Sequence, residues 1–520
     1  MSRPDVSVVV PVYNTMPYLT RCLDSLVRQT IAPPRLQVVA VDDGSTDGSG
    51  RVLDRYAARH PGLFTVIHQA NSGGPANPCN RGLDAATGRY VFFVGADDQL
   101  GPEALQRLVA AADEWGSDVV LGKVVGVNSR HIYQDIFAAN QAEVDLFDSP
   151  LPRSLANTKL FRRELLDRHR IRYREDLRLA SDLPFTLEAC YRARRISVLA
   201  DYEFYYAVRR FRATNITYLS RHLDRLRTVE ATTAYVAELI GPGRQRDAVM
   251  ARRFDHEIAK LVEDDLLRLD RDTQQRVHDG VGRLVAAYLT DGVAAELNAE
   301  TRIRLLLTRD ATVDDLLAVI RRDAHGGVPP TVVENGRRYA AYPGFRAGVP
   351  DSCFDVTAAP DWPAKLDVTA VAWETGAVLT LTATTPASDL PPLHVSAEEI
   401  PADVAAVSSG PHGTTLRIRF RAADLLAATG RSGRRRAVSA QAGGFDPDLA
   451  QGLHHATGAA GSAALRAPNL RVTAPLPCRR GVRPYVITPV LDDSGRLMIS
   501  VVPVTPRRVA AQARRLLRRH

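Results

Sequence analysis

Four short apolar runs alternate with amphipathic stretches over the first hundred residues, and that alternation admits few folds. VSVVVPVY, LQVVAVDD, FTVIHQ and YVFFVG are strand-like, while YLTRCLDSLVRQT and GRVLDRYAARHP place apolar residues at helical spacing. Such a succession predicts an α/β fold, a parallel sheet covered by helices. In open sheets of this kind, ligands bind beyond the carboxyl ends of the strands. Three of these ends are polar: Val12-Tyr13-Asn14, Asp42-Asp43-Gly44-Ser45-Thr46-Asp47, and Asp97-Asp98 after YVFFVG. One acidic pair is ordinary turn chemistry. Two strands that both end in adjacent acids point further, because neighbouring carboxylates repel and gather where a cation is offered in return. A hard divalent ion with oxygen ligands suits a diphosphate leaving group.

Further along, the texture changes twice. From about 217 to 325 the periodicity is helical throughout, and Gly326-Gly327-Val328-Pro329-Pro330 breaks it. Beyond about 350, period-2 segments appear (AVLTLTATT, TTLRIRFRA, RPYVITPVL, RLMISVVPV), with DDSG as a hairpin turn before the last. The expected organisation is a nucleotide-binding catalytic domain over 1–215, a helical extension over 216–330, β-sandwich structure over 331–505 and a basic tail over 506–520.

The net charge of +8 comes from 67 basic and 59 acidic residues, but the stretch from Arg507 to His520 alone holds six arginines and no acid. The rest is close to neutral, which gives no footprint for nucleic acid. As an amphipathic helix the tail could lie on an anionic inner membrane leaflet, each cation contributing about 1 kcal/mol. Five scattered cysteines argue against a disulfide framework and for a reducing compartment. No run reaches the ~20 apolar residues of a membrane span, and MSRPDVSVVV passes straight into a strand, so neither span nor signal peptide is expected and the protein is read as cytoplasmic.

Taken together, V-S-V-V-V-P-V-Y-N, V-D-D-G-S-T-D, N-S-G-G and C-N-R-G-L-D-A-A-T-G-R-Y-V-F-F-V-G-A-D-D resemble, in order and spacing, the family-2 glycosyltransferases of GT-A fold. Within that family, SDVVLGK, TKLFRR, LPFT and ADYEFYY look most like the enzymes that glycosylate wall teichoic acid, which also carry a helical segment and C-terminal β-sandwich modules. The resemblance implies roles. Pro11 and Tyr13 would line the nucleobase pocket, the Tyr13 ring stacking on uracil, and Asp42 or Asp43 would accept the uracil N3–H. Asn80 would help hold the donor. Asp97 and Asp98 would bind Mn2+ or Mg2+, one ligating the ion and the other holding the ribose. Asp182 would be the base that takes a proton from the acceptor hydroxyl.

The resemblance therefore implies an inverting transferase that uses a UDP-sugar, UDP-N-acetylglucosamine first, and a cell-envelope polymer or lipid-linked acceptor. It also implies a homotrimer. Three positions depart from the family pattern. Gly95 stands where a first acid is common, Cys79 where an Arg is common, and Ser181 where a Glu precedes the base. Arg81 or Arg130 would replace the lost phosphate contact. Cys79 itself reads as a small buried filler. Glu175-Asp176 is a rival for the base, and the helix-capping reading of Asp182 competes with the catalytic one. The other readings of the whole chain are a hexosyltransferase with another acceptor, a polymer-binding pseudoenzyme, and, lowest, a nucleotidyltransferase, since no Gly-rich triphosphate loop opens the chain.

Overall fold

The computed structural model describes residues 3–31, 33–128, 130–210, 222–326, 329, 331–334, 337–358, 367–385, 393–410, 413–428, 434–442, 462–464, 476–480, 483–491 and 497–503. The basic tail and the DDSG turn lie outside them, as does most of the Gly326–Pro330 break. The chain divides into two compact units. One comprises residues 1–261 and 271–296; the other comprises 262–270 and 297–520.

The first unit is built on a seven-stranded sheet. Its strands are β1 (Val6–Val12), β2 (Leu36–Asp43), β3 (Phe64–Gln69), β4 (Tyr90–Phe93), β6 (Val119–Gly122), β8 (Lys159–Arg162) and β9 (Ile196–Leu199), in the order β3-β2-β1-β4-β8-β6-β9. β1 to β4 pair in parallel, as the alternation requires. The expectation of a purely parallel sheet needs correction at β8, which runs antiparallel to both β4 and β6. β8 is the TKLFRR segment and enters directly from a loop, without the crossover helix that a parallel strand needs.

Burial explains the composition of these strands. Val6, Val8, Val9 and Val10 are all 0% exposed, because helices cover both faces and leave no solvent side. The helix α1 (Leu19–Val27) buries Leu19, Cys22, Leu23 and Leu26, the spacing of one apolar stripe. The other helices of the layers are α2 (Ser49–Arg59), α3 (Ala76–Ala85), α4 (Ala104–Glu114), α5 (Arg163–His169) and α6 (Asp182–Arg192). A small second sheet, β5 (Gln99–Leu100), β10 (Tyr205–Val208) and β7 (Val124–Val127), follows the acidic turn after β4. The helical stretch expected after residue 216 is present from His222 to Gly326 and is divided between the two units.

In the second unit, β13 (Asp367–Glu374), β14 (Val378–Thr385), β18 (Gly413–Arg421) and β17 (Asp403–Gly410) form one antiparallel sheet in that spatial order. β15 (Leu393–Ala397), β19 (Arg434–Ala442), β21 (Leu476–Arg480), β22 (Arg483–Leu491) and β23 (Leu497–Pro503) belong to another. Leu381, Ile418 and Phe420 of the first sheet and Val395, Ile487 and Ile499 of the second share one apolar core. This is a sandwich with alternating in-out side chains. Among the described residues, no helix is long and apolar enough to cross a membrane.

Candidate functional site

The ends of β1, β2 and β4 lie side by side, since Val12 pairs with Asp42 and Val9 with Phe93. Side chains tie the first two ends together. Asn14, in the left-handed region at φ 47°, accepts from the Thr46 N–H at 2.8 Å. Its own N–H donates to Ser45 Oγ, and Met16 N–H donates to Asp47 Oδ2 at 2.8 Å. Above this frame Tyr13 is 50% exposed, an unusual state for an aromatic ring beside a buried strand. Pro11 is half-buried one turn of the pleat below it.

The two acids ending β2 face different partners. Asp42 accepts from Ser45 N–H at 3.1 Å and lies 3.0 Å from His68 Nδ1, whose other nitrogen is 2.9 Å from Asp54. Asp54 and Asp42 together raise the His68 pKa. Asp43 is enclosed. Gln69, Ser72 N–H and Ser72 Oγ all donate to it, at 2.6, 3.0 and 2.9 Å. It therefore holds the NSGG loop, while Asp42, also buried, turns to His68 and Ser45. Gly44 turns the chain at φ 76°, where a Cβ would press on Asn71 N.

The network continues to Asn80. Gln69 donates to Asn77, Asn77 donates to Glu175 Oε2, and Asn80 donates to Glu175 Oε1 at 2.9 Å. Asn80 also exchanges hydrogen bonds with both the N–H and C=O of Tyr173. Its side chain thus clamps the 173–175 segment. The two asparagine donors hold Glu175 below the usual carboxylate range, which makes it a poor base. Arg81 is solvent-exposed on α3. Cys79 is buried, and burial pushes its thiol far up, as a packing residue requires.

The acids after β4 sit in a tight turn closed by Asp98 N–H donating to Gly95 C=O. Asp98 is buried and receives the Tyr205 hydroxyl at 2.6 Å, Val208 N–H at 2.7 Å and, more distantly, Arg130 at 3.5 Å. Burial, then the charge of Asp97, raises its pKa to about 6. Asp97 is paired through Oδ2 with Arg210 Nε at 2.7 Å, and no hydrogen bond falls on its Oδ1 among the described residues. No cluster of three or more acid, His or Cys ligands occurs among the described residues. The donor set is therefore a repelling carboxylate pair with one oxygen free. It fits a hard cation that draws its remaining ligands from a diphosphate and water. Gly95 leaves the room: a Cβ there would lie 2.8 Å from Asp98 Oδ2 and 3.2 Å from Asp97 Oδ1.

Asp182 opens α6, two residues after Ala180, a non-glycine held at φ 50°. Among the described residues its carboxylate makes no ion pair, only local bonds to N–H groups of its own turn. Burial raises its pKa; the buried ammonium of Lys159 acts in the opposite direction. Lys159 is 1% exposed and held by the carbonyls of Ser154 and Ala156, and burial lowers its own pKa to about 8. An aromatic cluster fixes Asp182 relative to the acid pair. Phe93, the last residue of β4, packs edge-on against Phe185 of α6 and against Tyr173, with ring centres at 5.3 and 5.2 Å, and Tyr173 stacks on Phe185 at 4.2 Å. Each such pair contributes about 0.5–1.5 kcal/mol beyond its area.

The acid turn, the laced frame with its exposed ring and the carboxylate at the start of α6 all belong to the first unit. The chain belongs to glycosyl transferase family 2: residues 7–168 match that family model, and residues 224–320 match the glycosyl transferase TarS linker domain. It is 39% identical over 205 residues to the poly(ribitol-phosphate) beta-glucosyltransferase of Bacillus spizizenii, covering 39% of this chain and 32% of that one. It is 33% identical over 237 residues to the uncharacterized glycosyltransferase EpsJ of Bacillus subtilis, covering 43% and 67%. Residues 1–349 of Staphylococcus aureus TarS in complex with UDP-GlcNAc superpose with a TM-score of 0.58 at 29% identity, covering 66% of this chain and 98% of that one. A longer TarS structure shares the fold over 97% of this chain, with a TM-score of 0.62 at 23% identity. The aligned stretch spans about a third of the poly(ribitol-phosphate) relative.

Tyr205, His68 and Arg210 escaped the sequence reading. Tyr205 and Arg210 lie on or just beyond β10, more than a hundred residues after the acids they contact. The signal available was the polar pattern of YYAVRR on a short strand.

Proposed function

We propose that the chain is a metal-dependent, inverting glycosyltransferase that moves a sugar from a UDP-sugar to a hydroxyl of a polyol-phosphate polymer. The observation that carries this reading is the fixed relation between the Asp97-Asp98 turn and Asp182, set by Phe93, Tyr173 and Phe185. Tyr13 offers its exposed ring to the uracil, and Asp42, held in orientation by His68, accepts the N3–H. Asp97 and Asp98 would hold a divalent ion, which would supply positive charge to the departing diphosphate.

Asp182 takes the proton from the acceptor hydroxyl while that oxygen bonds to the anomeric carbon. The bond from that carbon to the diphosphate oxygen breaks, and UDP leaves with the electron pair. One displacement inverts the anomeric configuration. Burial raises the Asp182 pKa, which makes it a stronger base than a free carboxylate, and the Lys159 ammonium opposes that rise. The donor and acceptor assignments draw support from the TarS complex with UDP-GlcNAc and from the poly(ribitol-phosphate) relatives. The test is UDP release from a panel of UDP-, GDP- and dTDP-sugars with Mn2+ and a poly(ribitol phosphate). Release from one UDP-sugar, abolished by EDTA, is expected. Polymer binding without release from any donor would favour a binding protein instead.

A further inference from the structure

Because β8 runs against β4 and β6, it begins where they end. Its first residue, Lys159, stands opposite Leu121 near the close of β6, and Leu160 stands opposite Phe92 near the close of β4. A lysine is thereby buried, at 1% exposure, toward the rim that carries the acid turn. Taking an ammonium out of water is costly unless hydrogen bonds and an opposite charge compensate it. Of its three donors, two go to the carbonyls of Ser154 and Ala156, at 2.5 and 2.7 Å. The opposite charge comes from α6. Phe161 shares a face of β8 with Lys159 and packs edge-on against Phe185 at 5.3 Å; Phe185 lies one helical turn after Asp182. The segment that holds the ammonium reaches α6 by a second route. Asn157 donates to the Tyr173 hydroxyl at 2.8 Å, and Tyr173 stacks on Phe185. Both routes lead from Lys159 to the start of α6, where Asp182 stands.

We propose that Lys159 is a positioning residue for Asp182: its buried ammonium keeps that carboxylate charged and in place, and so sets the pH from which transfer begins. The inference rests on the reading of Asp182 as the base. Asp182 and Cys190, both of α6, are the groups whose charge acts on Lys159, while β6 offers it the apolar Leu121. Burial pushes up the Cys190 and Cys79 thiols and the Tyr173 hydroxyl, so all three stay protonated and Asp182 is the anion that meets the ammonium. Glu257 acts on Asp182 in the opposite sense to Lys159. Burial by itself favours a protonated Asp182, which cannot take a proton from the acceptor hydroxyl. The ammonium favours the carboxylate. Without it, Asp182 would become an active base only at higher pH. The loss is therefore one of ionisation, and raising the pH restores it.

The experiment uses the full chain and follows kcat/KM for transfer from UDP-N-acetylglucosamine to poly(ribitol phosphate) against pH, in wild type, Lys159→Met and Lys159→Arg. The midpoint of the acid limb is expected to rise by about one pH unit in Lys159→Met, a loss of about tenfold below it that closes at higher pH. Lys159→Arg keeps the charge and should keep the wild-type midpoint, and UDP affinity should be unchanged in both. A second measurement leaves Lys159 in place. The chain has four lysines, Lys123, Lys159, Lys260 and Lys365, so isotope-labelled lysine lets each be followed by NMR. The coupling of two charges is reciprocal, so Asp182→Asn should lower the pH at which Lys159 releases its proton by about one unit. A Lys159 titration that does not move in Asp182→Asn would overturn the positioning role. So would an acid limb that stays put in a Lys159→Met variant that binds UDP normally, or one that moves as far in Lys159→Arg. Transfer that survives Asp182→Asn at the wild-type rate would instead remove the reading of Asp182 as the base.

Discussion

The Tyr205 hydroxyl is the contact whose loss can be worked out most directly. It donates to Asp98 Oδ2 at 2.6 Å and accepts from Gly95 N–H at 3.0 Å, and the residue is buried. Tyr205→Phe keeps the ring and removes both bonds. It orphans one buried N–H and takes a donor from a buried carboxylate, each loss costing about 1–3 kcal/mol. The expected destabilisation of the first unit is therefore about 2–6 kcal/mol, with relaxation toward the lower figure. Tyr202→Phe is the control: its hydroxyl accepts from the Glu103 N–H in an exposed setting, and about 1 kcal/mol or less is expected. Denaturant unfolding followed by fluorescence measures both, and the two variants should separate clearly. Because Asp98 loses its strongest donor, Mn2+ affinity measured calorimetrically in the presence of UDP should also fall. Equal, small losses from Tyr205→Phe and Tyr202→Phe would refute the argument that this hydroxyl shapes the acid turn.

The remaining predictions test neighbouring groups. Lys159 is held at about 8 by burial, down from 10.5, so below pH 8 the folded protein bears the full cost of a buried ammonium. As pH rises from 8 to 10.5 the unfolded chain binds more protons than the folded one, and wild type should gain about 3 kcal/mol relative to Lys159→Met; a difference that stays flat with pH contradicts this. Gly95→Ala should crowd two carboxylates that are already held in place, costing about 1–3 kcal/mol and weakening Mn2+ binding in calorimetry. Arg210→Ala frees Asp97 of its cation, so added Mn2+ should raise the unfolding temperature of the variant more than that of wild type; equal shifts would sink the pairing argument.

Local pattern revealed what local chemistry determines. The parallel order of β1 to β4 was legible because Val-rich runs buried on both faces alternate with amphipathic helices. The acid turn was legible because paired acids at a strand end stand out against an apolar run. The sandwich strands were legible in TTLRIRFRA and RPYVITPVL, whose alternation survives in β18 and β22. The antiparallel β8 was not, since TKLFRR has the same apolar centre whichever way it runs. Nor were the partners of the acids. Tyr205 and Arg210 reach Asp98 and Asp97 only after the chain has folded back more than a hundred residues. The different partners of Asp42 and Asp43 were also hidden, because adjacent strand residues face opposite ways and only tertiary contact reveals what each meets. Asn80 stood out as a motif residue, yet its side chain clamps Tyr173 and Glu175, a role no spacing announces.

The most direct test of the account is Asp182→Asn, assayed for both UDP binding and sugar transfer. The change keeps size and polarity at the start of α6 but removes the proton acceptor. Transfer from the UDP-sugar should fall by about a hundredfold or more, while UDP affinity in the presence of Mn2+ stays within about twofold of wild type. Transfer that survives in Asp182→Asn at the wild-type rate would contradict the assignment of the base, and with it the site proposed at the ends of β1, β2 and β4.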